Sequence, residues 1–269
     1  MQVSSVSHTT VSVKETHVTC QAEIKKLSKK ILQSFNTWAF KRQQPTEPAE
    51  LLRSVERAVT RSAPIHFVLY WGRGPRSTVA DPERACLSFL SHMGERIRAE
   101  YPPGAHFTLI ATDTHALHNG HNASDIERYF TDLAASASPY DFSLRYLSGI
   151  VDSQKDHVVT VASKAPPGLL NKLAPCAEKW FRGEGAVLDG AAQYYDMNMV
   201  EKQAVELHFP HSVFVTFNNS QFRELFPDML PVFYMYSMRK GISVKPWFVD
   251  CLETVTRPAE TCETAEIAV

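Results

Sequence analysis

The sequence predicts an α/β fold: a Rossmann-like, doubly wound and mostly parallel sheet with an N-terminal helical extension. Three observations lead to this prediction. Between residues 64 and 150, apolar runs typical of buried strands alternate with helical patterns, breaks containing glycine or proline separate them, and polar loops follow the apolar runs. Strands that alternate with helices form parallel sheets, because each crossover helix returns the chain to the same edge of the sheet.

The N-terminal part of the chain carries the predicted helical extension. Residues 1–18 are rich in Thr, Ser and Val without helical spacing, so we predict a disordered leader there. A helical segment then occupies residues 19–60. Apolar residues recur at helical spacing over 22–42, and Pro48 begins a second helix that covers residues 48–59. We expect these helices to cover an edge of the sheet or to form a lid.

Residues 61–250 are predicted to form a Rossmann-like catalytic domain. Ser124 with Glu127 three residues later predicts a helix start, because the two side chains can form a capping box. Residues 251–269 are polar and acidic, which predicts a disordered tail. The predicted strands are 64–71, 106–112, 142–147, 213–219 and 232–238, and the predicted helices are 81–100, 124–135, 166–181 and 186–209.

The composition of the 269 residues excludes several classes of protein. Apolar residues at 44% and charged residues at 21% are typical of a globular chain. A net charge of −1 disfavours a protein whose main task is binding nucleic acid, and no apolar run reaches the roughly 20 residues that a membrane helix needs. We therefore predict a cytoplasmic protein that has no membrane partner and is compatible with a homodimer. The charged loops described next predict that its partner is a small amino-acid-like molecule.

The loop after the first predicted strand, WGRGPRST, is a candidate binding segment. Ligands of doubly wound sheets bind at the loops that follow the strands. The glycines allow close approach of the backbone, and Arg73 and Arg76 offer fork-shaped donors for carboxylate or phosphate. The loop matches neither the Walker A nor the GxGxxG pattern. We predict that Tyr70, Trp71, Arg73, Arg76 and Ser77 bind substrate; a plain turn with solvated arginines is the alternative.

The loop after the second predicted strand, DTHALHNGH, is the candidate catalytic segment. Asp113 is placed to hold an amine or a ribose hydroxyl, or to act as a base if burial raises its pKa. His115 and His118 suit proton transfer near neutral pH. Asn119 is a candidate substrate contact, and the Asn119–Gly120 pair predicts a turn rather than a helix.

Metal binding is the competing interpretation of this loop, because His115, His118 and His121 recur at a spacing of three residues. No convincing set of partner ligands appears elsewhere in the sequence. The five cysteines contain no CxxC pair, so they predict neither a zinc knuckle nor a disulfide framework. We predict no metal site.

Three later features are ambiguous from sequence alone. Tyr194 and Glu201 belong to a Tyr/Met stripe on the predicted helix 186–209, which we interpret as core packing. Asn218 closes the fourth predicted strand. Arg239 closes the fifth and either fixes a substrate carboxylate or is an ordinary surface charge.

Several stretches together resemble the isonitrile (isocyanide) synthases, a family that includes the pyoverdine/paerucumarin type and the fungal dityrosine type. These stretches are PIHFVL (64–69), ERIRAEYPPGAHFTLIATD (95–113), NASDIERYFTDL (122–133) and YMYSMRKGISVKPWF (234–248). The resemblance covers about residues 55–150 best. It implies a Rossmann-like fold and an enzyme that converts the α-amine of an aromatic amino acid into an isonitrile with a carbon of ribulose 5-phosphate. Asp113 and Arg239 match the strand-end acid and the late arginine of the family.

Both strand-end loops depart from the family pattern. The family's first loop has a Pro-x-Lys-Ser-Pro-Asn character, whereas this chain carries Arg73 or Arg76 where the lysine would stand. An arginine does not form an imine with a sugar carbonyl. The resemblance therefore predicts the fold more strongly than the reaction.

The sequence leaves other functions open. One is a Rossmann-type enzyme that uses S-adenosylmethionine, with Asp113 on the ribose and the Tyr70 and Trp71 rings near the sulfonium cation. Another is a tRNA-dependent amide former of the cyclodipeptide synthase type, which usually needs a basic face. A non-catalytic binding protein is the third. S-adenosylmethionine is the one cofactor these alternatives name, and none is otherwise predicted.

Overall fold

The structure is a computed structural model that describes residues 10–73, 77–158 and 165–235, with side chains from residue 21 onward. The chain begins with two helices, α1 (Thr10–Phe35) and α2 (Pro48–Thr60). The helical extension therefore starts earlier than the predicted boundary at residue 19, and the predicted leader of residues 1–18 is too long. Thr and Val lower helix propensity only slightly, so a stretch rich in them does not prevent a helix.

Five strands form one sheet: β1 (Ile65–Trp71), β2 (Ala105–Ala111), β3 (Ser143–Tyr146), β4 (Val213–Thr216) and β5 (Val232–Tyr234). Their order is β3-β2-β1-β4-β5, and every neighbouring pair is parallel. The strand order reverses at β1, which lies between β2 and β4. This is the arrangement of a doubly wound sheet, and it confirms the predicted fold class.

Helices cover both faces of the sheet. The remaining helices are α3 (Asp81–Glu100), α4 (Asp113–His118), α5 (Ala123–Ala137), α6 (Leu147–Gln154), α7 (Pro167–Trp180) and α8 (Val187–His208). Phe67, Leu69 and Trp71 of β1 pack in one core with α1, α2, α3 and α5. Val68 and Tyr70 point to the other face and pack in a second core with α6, α7 and α8. The alternation along β1 thus separates the two cores.

Two local predictions differ from the structure. Asn122, not Ser124, caps α5: its side-chain oxygen accepts a hydrogen bond of 2.8 Å from the backbone N–H of Asp125. Both residue types are good caps, and the structure starts the helix two residues earlier than a Ser124 cap would. The segment after β2, predicted as a turn, is the short helix α4. The Asn119–Gly120 pair ends this helix, with Gly120 at a φ of 78°.

The linker between α1 and α2 covers the far edge of the sheet at the end of β5. The backbone N–H of Arg42 donates to the carbonyl of Tyr234 at 2.9 Å, and Lys41 forms an antiparallel bridge with Met235. The Arg42 guanidinium also donates to the carbonyl of Phe217, just past β4, at 2.5 Å. The helices α1 and α2 themselves pack on one face of the sheet, so the linker, and not the helices as expected, covers this edge.

Among the described residues, no helix combines the length and the apolar character needed to cross a membrane. The predicted acidic tail, residues 251–269, lies outside the described residues.

Candidate active site

The loops that follow β1 and β2 lie side by side at the carboxyl edge of the sheet. The backbone N–H of Thr112 donates to the carbonyl of Trp71 at 3.0 Å, and β1 and β2 pair in register from Ile65 with Ala105 to Trp71 with Ala111. This confirms that the two candidate loops are neighbours. Arg76 and Arg239 lie outside the described residues.

Asp113 begins α4, directly after β2, and is buried. Its Oδ1 accepts a hydrogen bond of 3.1 Å from the backbone N–H of Ser148, and its Oδ2 accepts one from the Ser148 hydroxyl. Ser148 lies in the first turn of α6, whose first N–H groups have no partner within the helix. The carboxylate therefore ties α4 to the start of α6, and it contacts a helix end rather than a neighbouring histidine.

His115 is paired with a carboxylate that the sequence did not assign to the site. Its Nε2 lies 2.7 Å from Oε2 of Glu201 on α8, and the hydroxyl of Thr114 donates to Oε1 of the same carboxylate at 2.5 Å. His115 is 4% exposed and Glu201 is 2% exposed. Both oxygens of the Glu201 side chain accept in these contacts, so the His115 proton of the pair lies on Nε2.

Two tyrosines enclose this pair. The Tyr194 hydroxyl lies 3.5 Å from Nδ1 of His115, and the Tyr70 ring meets the His115 ring edge-on at 5.9 Å between centroids. Burial, and then the negative charge of Glu201, raise the pKa of both tyrosines well above the usual value. Both phenols therefore stay protonated, and Tyr194 can donate a hydrogen bond toward the imidazole.

His118 and Asn119 lie at the end of α4, close to the same cluster. The His118 ring packs against Phe181 at 4.9 Å and against Tyr194 at 5.8 Å. Burial, and then the neighbouring His115, lower the pKa of His118 to about 4, so its imidazole is neutral at pH 7. The side-chain oxygen of Asn119 is buried without a hydrogen-bond partner in the described part of the chain.

The residues of the first loop divide between the two sides of the sheet. Trp71 is fully buried in the core, and its Nε1–H donates to the Tyr129 hydroxyl at 3.3 Å. This corrects its predicted role as a substrate contact, because successive residues of a strand point to opposite faces and only Tyr70 faces His115. Arg73 is buried and contacts Nδ1 of His121, while Ser77 is exposed.

Arg73 has a chemical character suited to an anion. Its Nε is buried without a hydrogen-bond partner, and the ion pairs of the described residues do not include it. Burial lowers its pKa from the usual value, because the charged guanidinium is separated from water. A buried cation that has no ion pair among the described residues is stabilised by an anionic ligand.

Asn218 is a second residue that the sequence left unassigned. It follows β4 at the point where the strand order reverses, which is where ligands of doubly wound sheets bind. It is fully buried, and neither its side-chain oxygen nor its nitrogen has a hydrogen-bond partner among the described residues. A buried amide without partners costs stability, which makes Asn218 a candidate for a ligand contact.

The signal that could have found Glu201 lies in the spacing of α8. Tyr194, Asn198, Glu201 and Val205 recur at intervals of four, three and four residues, so they share one face of the helix, and all four are buried. Two polar residues on a buried helix face need partners in the fold. The interpretation of this face as a Tyr/Met packing stripe did not consider that its polar residues need hydrogen-bond partners.

Within the described ranges, no group of three or more His, Cys, Asp or Glu side chains is arranged so that it could hold a metal ion. The three histidines of the loop each contact a different residue: His115 contacts Glu201, His118 contacts Phe181 and His121 contacts Arg73.

The fold is that of a Rossmann-like α/β protein, and buried polar side chains follow β1, β2 and β4 at the carboxyl edge of its sheet. No protein-family model matches the chain, and no curated protein sequence does. Among solved structures, the crystal structure of the PvcA protein from Pseudomonas aeruginosa is similar, with a TM-score of 0.59 and 17% sequence identity. The match covers 82% of this chain and 87% of that chain. At this identity the similarity shows the fold, and function has to be argued from the site.

Proposed function

We propose that the protein is a biosynthetic enzyme of natural-product metabolism that acts on an amino acid or amino-acid derivative, with chemistry like that of the isonitrile synthases. The fold is similar to that of PvcA from Pseudomonas aeruginosa, and the sequence resembles the isonitrile synthases best over about residues 55–150. The observation that carries the proposal is the His115–Glu201 pair, which lies behind the strand ends of this same fold.

The paired His115 is the proposed proton-transfer group. Glu201 accepts a hydrogen bond from the Nε2–H of His115, which fixes the tautomer and leaves Nδ1 as the basic nitrogen. An imidazole oriented by a carboxylate is a common acid–base arrangement, because the carboxylate stabilises the imidazolium that forms. In this proposal a bound amine gives a proton to the Tyr194 hydroxyl oxygen as the Tyr194 hydroxyl gives its own proton to Nδ1 of His115.

Arg73 and Asn218 are the proposed substrate contacts. An amino acid presents a carboxylate that suits the buried guanidinium of Arg73, and the Asn218 amide can both donate and accept with the polar atoms of a substrate. Asp113 takes a positioning role in this proposal, because its oxygens are engaged by Ser148. The sugar carbonyl of the family reaction would not form an imine with Arg73.

The test is an assay of the purified full chain with aromatic amino acids and ribulose 5-phosphate, read by mass spectrometry and by the infrared band of the isonitrile group. We expect product with the parent and a loss of at least about 100-fold in Glu201→Gln, the range for removing acid–base assistance. Glu178→Gln, on the exposed side of α7, is the matched control and retains activity. Absence of any isonitrile across the amino-acid panel overturns the proposal.

A further inference from the structure

A cavity of about 360 Å³, open to solvent, lies at the amino-terminal edge of the sheet, opposite the candidate active site, and its Arg57 and Arg61 side chains are exposed. Its wall is formed by the end of α2, the end of α8 and the segments that lead into β1 and β4, and it includes Arg57, Arg61, His66, His208, His211 and Ser212. The volume falls at the small end of the range for ligand pockets. The length of β1, seven residues at about 3.3 Å each, separates this cavity from the loop at Gly72.

The wall of this cavity is basic. It contains two arginines and three histidines, and no Asp or Glu side chain lines it. No carboxylate of the described residues lies within ion-pair distance of Arg57 or Arg61, whereas Arg53 on the same helix is paired with Glu50. The two guanidinium charges at the cavity are therefore not neutralised by the described part of the chain.

The donors of the cavity are held in place by neighbouring side chains. Nη1 of Arg57 lies 2.8 Å from Nδ1 of His211. Because the guanidinium can only donate, Nδ1 of His211 is the acceptor and its proton lies on Nε2. The Ser212 hydroxyl is bonded to Nδ1 of His66 at 2.8 Å, and Nε2 of His66 is bonded to the Thr108 hydroxyl at 2.8 Å.

The position of the arginines has a simpler explanation that the experiment must separate from a binding role. Arg57 lies in the last turn of α2 and Arg61 caps that helix, where positive charges favourably face the carbonyl groups. Helix capping explains one basic residue at each helix end. It does not explain why residues from α2, α8 and the segment before β4 converge on one cavity without an acid among them.

We propose that this cavity binds a small dianionic ligand of the phosphate monoester class. A dianion matches the two guanidinium charges, and each guanidinium offers the paired N–H groups that suit phosphate oxygens. The remaining volume, lined by Ala58, Pro64 and Phe209, accommodates a small organic group on the phosphate. This site is separate from the proposed reaction at the carboxyl edge and does not depend on it.

Calorimetric titration of the full chain at low ionic strength tests the proposal with three probes: glucose 6-phosphate, inorganic phosphate and glucose. We expect glucose 6-phosphate to bind, glucose not to bind, and inorganic phosphate to bind more weakly because it lacks the organic group. The variant carrying both Arg57→Gln and Arg61→Gln should bind glucose 6-phosphate at least about tenfold more weakly, since it loses charge-assisted hydrogen bonds. Arg53→Gln, outside the cavity wall, should bind as the parent does.

Two further measurements locate the bound phosphate. Histidine ring signals in NMR spectra of the parent should shift for His208 and His211 on addition of glucose 6-phosphate and should not shift for His118. Thermal unfolding of the double variant shows whether its loss of binding occurs in a folded protein. Equal weakening in Arg53→Gln and the double variant, unchanged binding in the double variant, or shifts confined to His118 would each overturn the assignment.

Discussion

Nε2 of His115 lies 2.7 Å from Oε2 of Glu201, which joins α4 to α8 across 86 positions of sequence. The contact crosses the space beside β1, with Tyr70 on one side and Tyr194 on the other. A histidine and a carboxylate this deeply buried stabilise each other, since either alone would be a costly unpaired group. The pair is therefore both a structural link between the two helices and the chemical centre of the proposed enzyme.

Glu201→Gln tests this dual role. The glutamine keeps the shape and one acceptor oxygen, so we expect a modest loss of unfolding free energy, about 1–2 kcal/mol, together with the large loss of activity stated above. The tautomer of His115, read from its ring nitrogen shifts by NMR, should no longer be fixed with the proton on Nε2. An unchanged tautomer in the variant would contradict the orienting role of Glu201.

Asp113 is expected to act through α6. Asp113→Ala removes both hydrogen bonds to Ser148, and Ser148→Ala removes the hydroxyl bond alone. In urea unfolding we expect Asp113→Ala to lower the free energy of unfolding by about 2 kcal/mol and Ser148→Ala by about 1 kcal/mol. The double variant should be as stable as Asp113→Ala. Amide exchange should rise in the first turn of α6. Asp152→Ala, an exposed change on the same helix, is the control, and additive losses at Asp113 and Ser148 would argue that they do not interact.

Acid should destabilise the protein through its buried histidines. Burial, and then the nearby His106, lower the pKa of His66 to about 4, below the ordinary value of 6.5. The folded state thus keeps His66 neutral while the unfolded chain takes up a proton, so stability falls as pH drops from about 6.5 and the loss is complete below about 4. Between pH 7 and pH 5 we expect His66 to lower the free energy of unfolding by about 2 kcal/mol.

The comparison of His66→Gln with the parent measures this contribution. The variant should lose less unfolding free energy between pH 7 and pH 5 than the parent does, by urea titration at each pH. His92→Gln is the control, because it replaces an exposed histidine and leaves the contacts of His66 intact. A His66→Gln variant with the same pH dependence as the parent would show that His66 takes up its proton in the folded state.

Asn218 and Asn198 form a matched pair of buried amides. Asn198 donates to the carbonyl of Tyr194 at 2.7 Å, whereas Asn218 has no side-chain partner within the described residues. Asn218→Leu should therefore raise the unfolding free energy by up to about 1 kcal/mol, and Asn198→Leu should lower it by about 1–3 kcal/mol. Binding of the amino-acid substrate should weaken in Asn218→Leu. A destabilised Asn218→Leu variant with normal binding would remove this residue from the site.

The sequence predicts the parts of this fold that depend on local pattern. Apolar spacing and the breaks between apolar runs depend only on residues that are close in sequence. They therefore identify β1, β2, β4 and the helix that begins at Asp81. The short helix α4 was missed, since Asn119–Gly120 indicates a turn without saying how much helix precedes it.

The site is less predictable because its contacts join distant elements. Asp113 and His115 could be named from their place after a strand, but their partners Ser148 and Glu201 come from α6 and α8. The local sequence pattern does not determine which helix face packs against which strand end. The assignment of Trp71 failed for the related reason that one residue of register reverses the face of a strand.

The contact between the linker and β5 also bears on how the protein behaves at high concentration. The outer strands of the sheet, β3 and β5, have four and three residues, and the Arg42 N–H is bonded to the carbonyl of Tyr234 at the outer side of β5. Exposed strand edges recruit strands from other molecules, and short edges with their hydrogen bonds already satisfied do not offer that template. At β5 the linker between α1 and α2 thus occupies the position that a strand of another molecule would take.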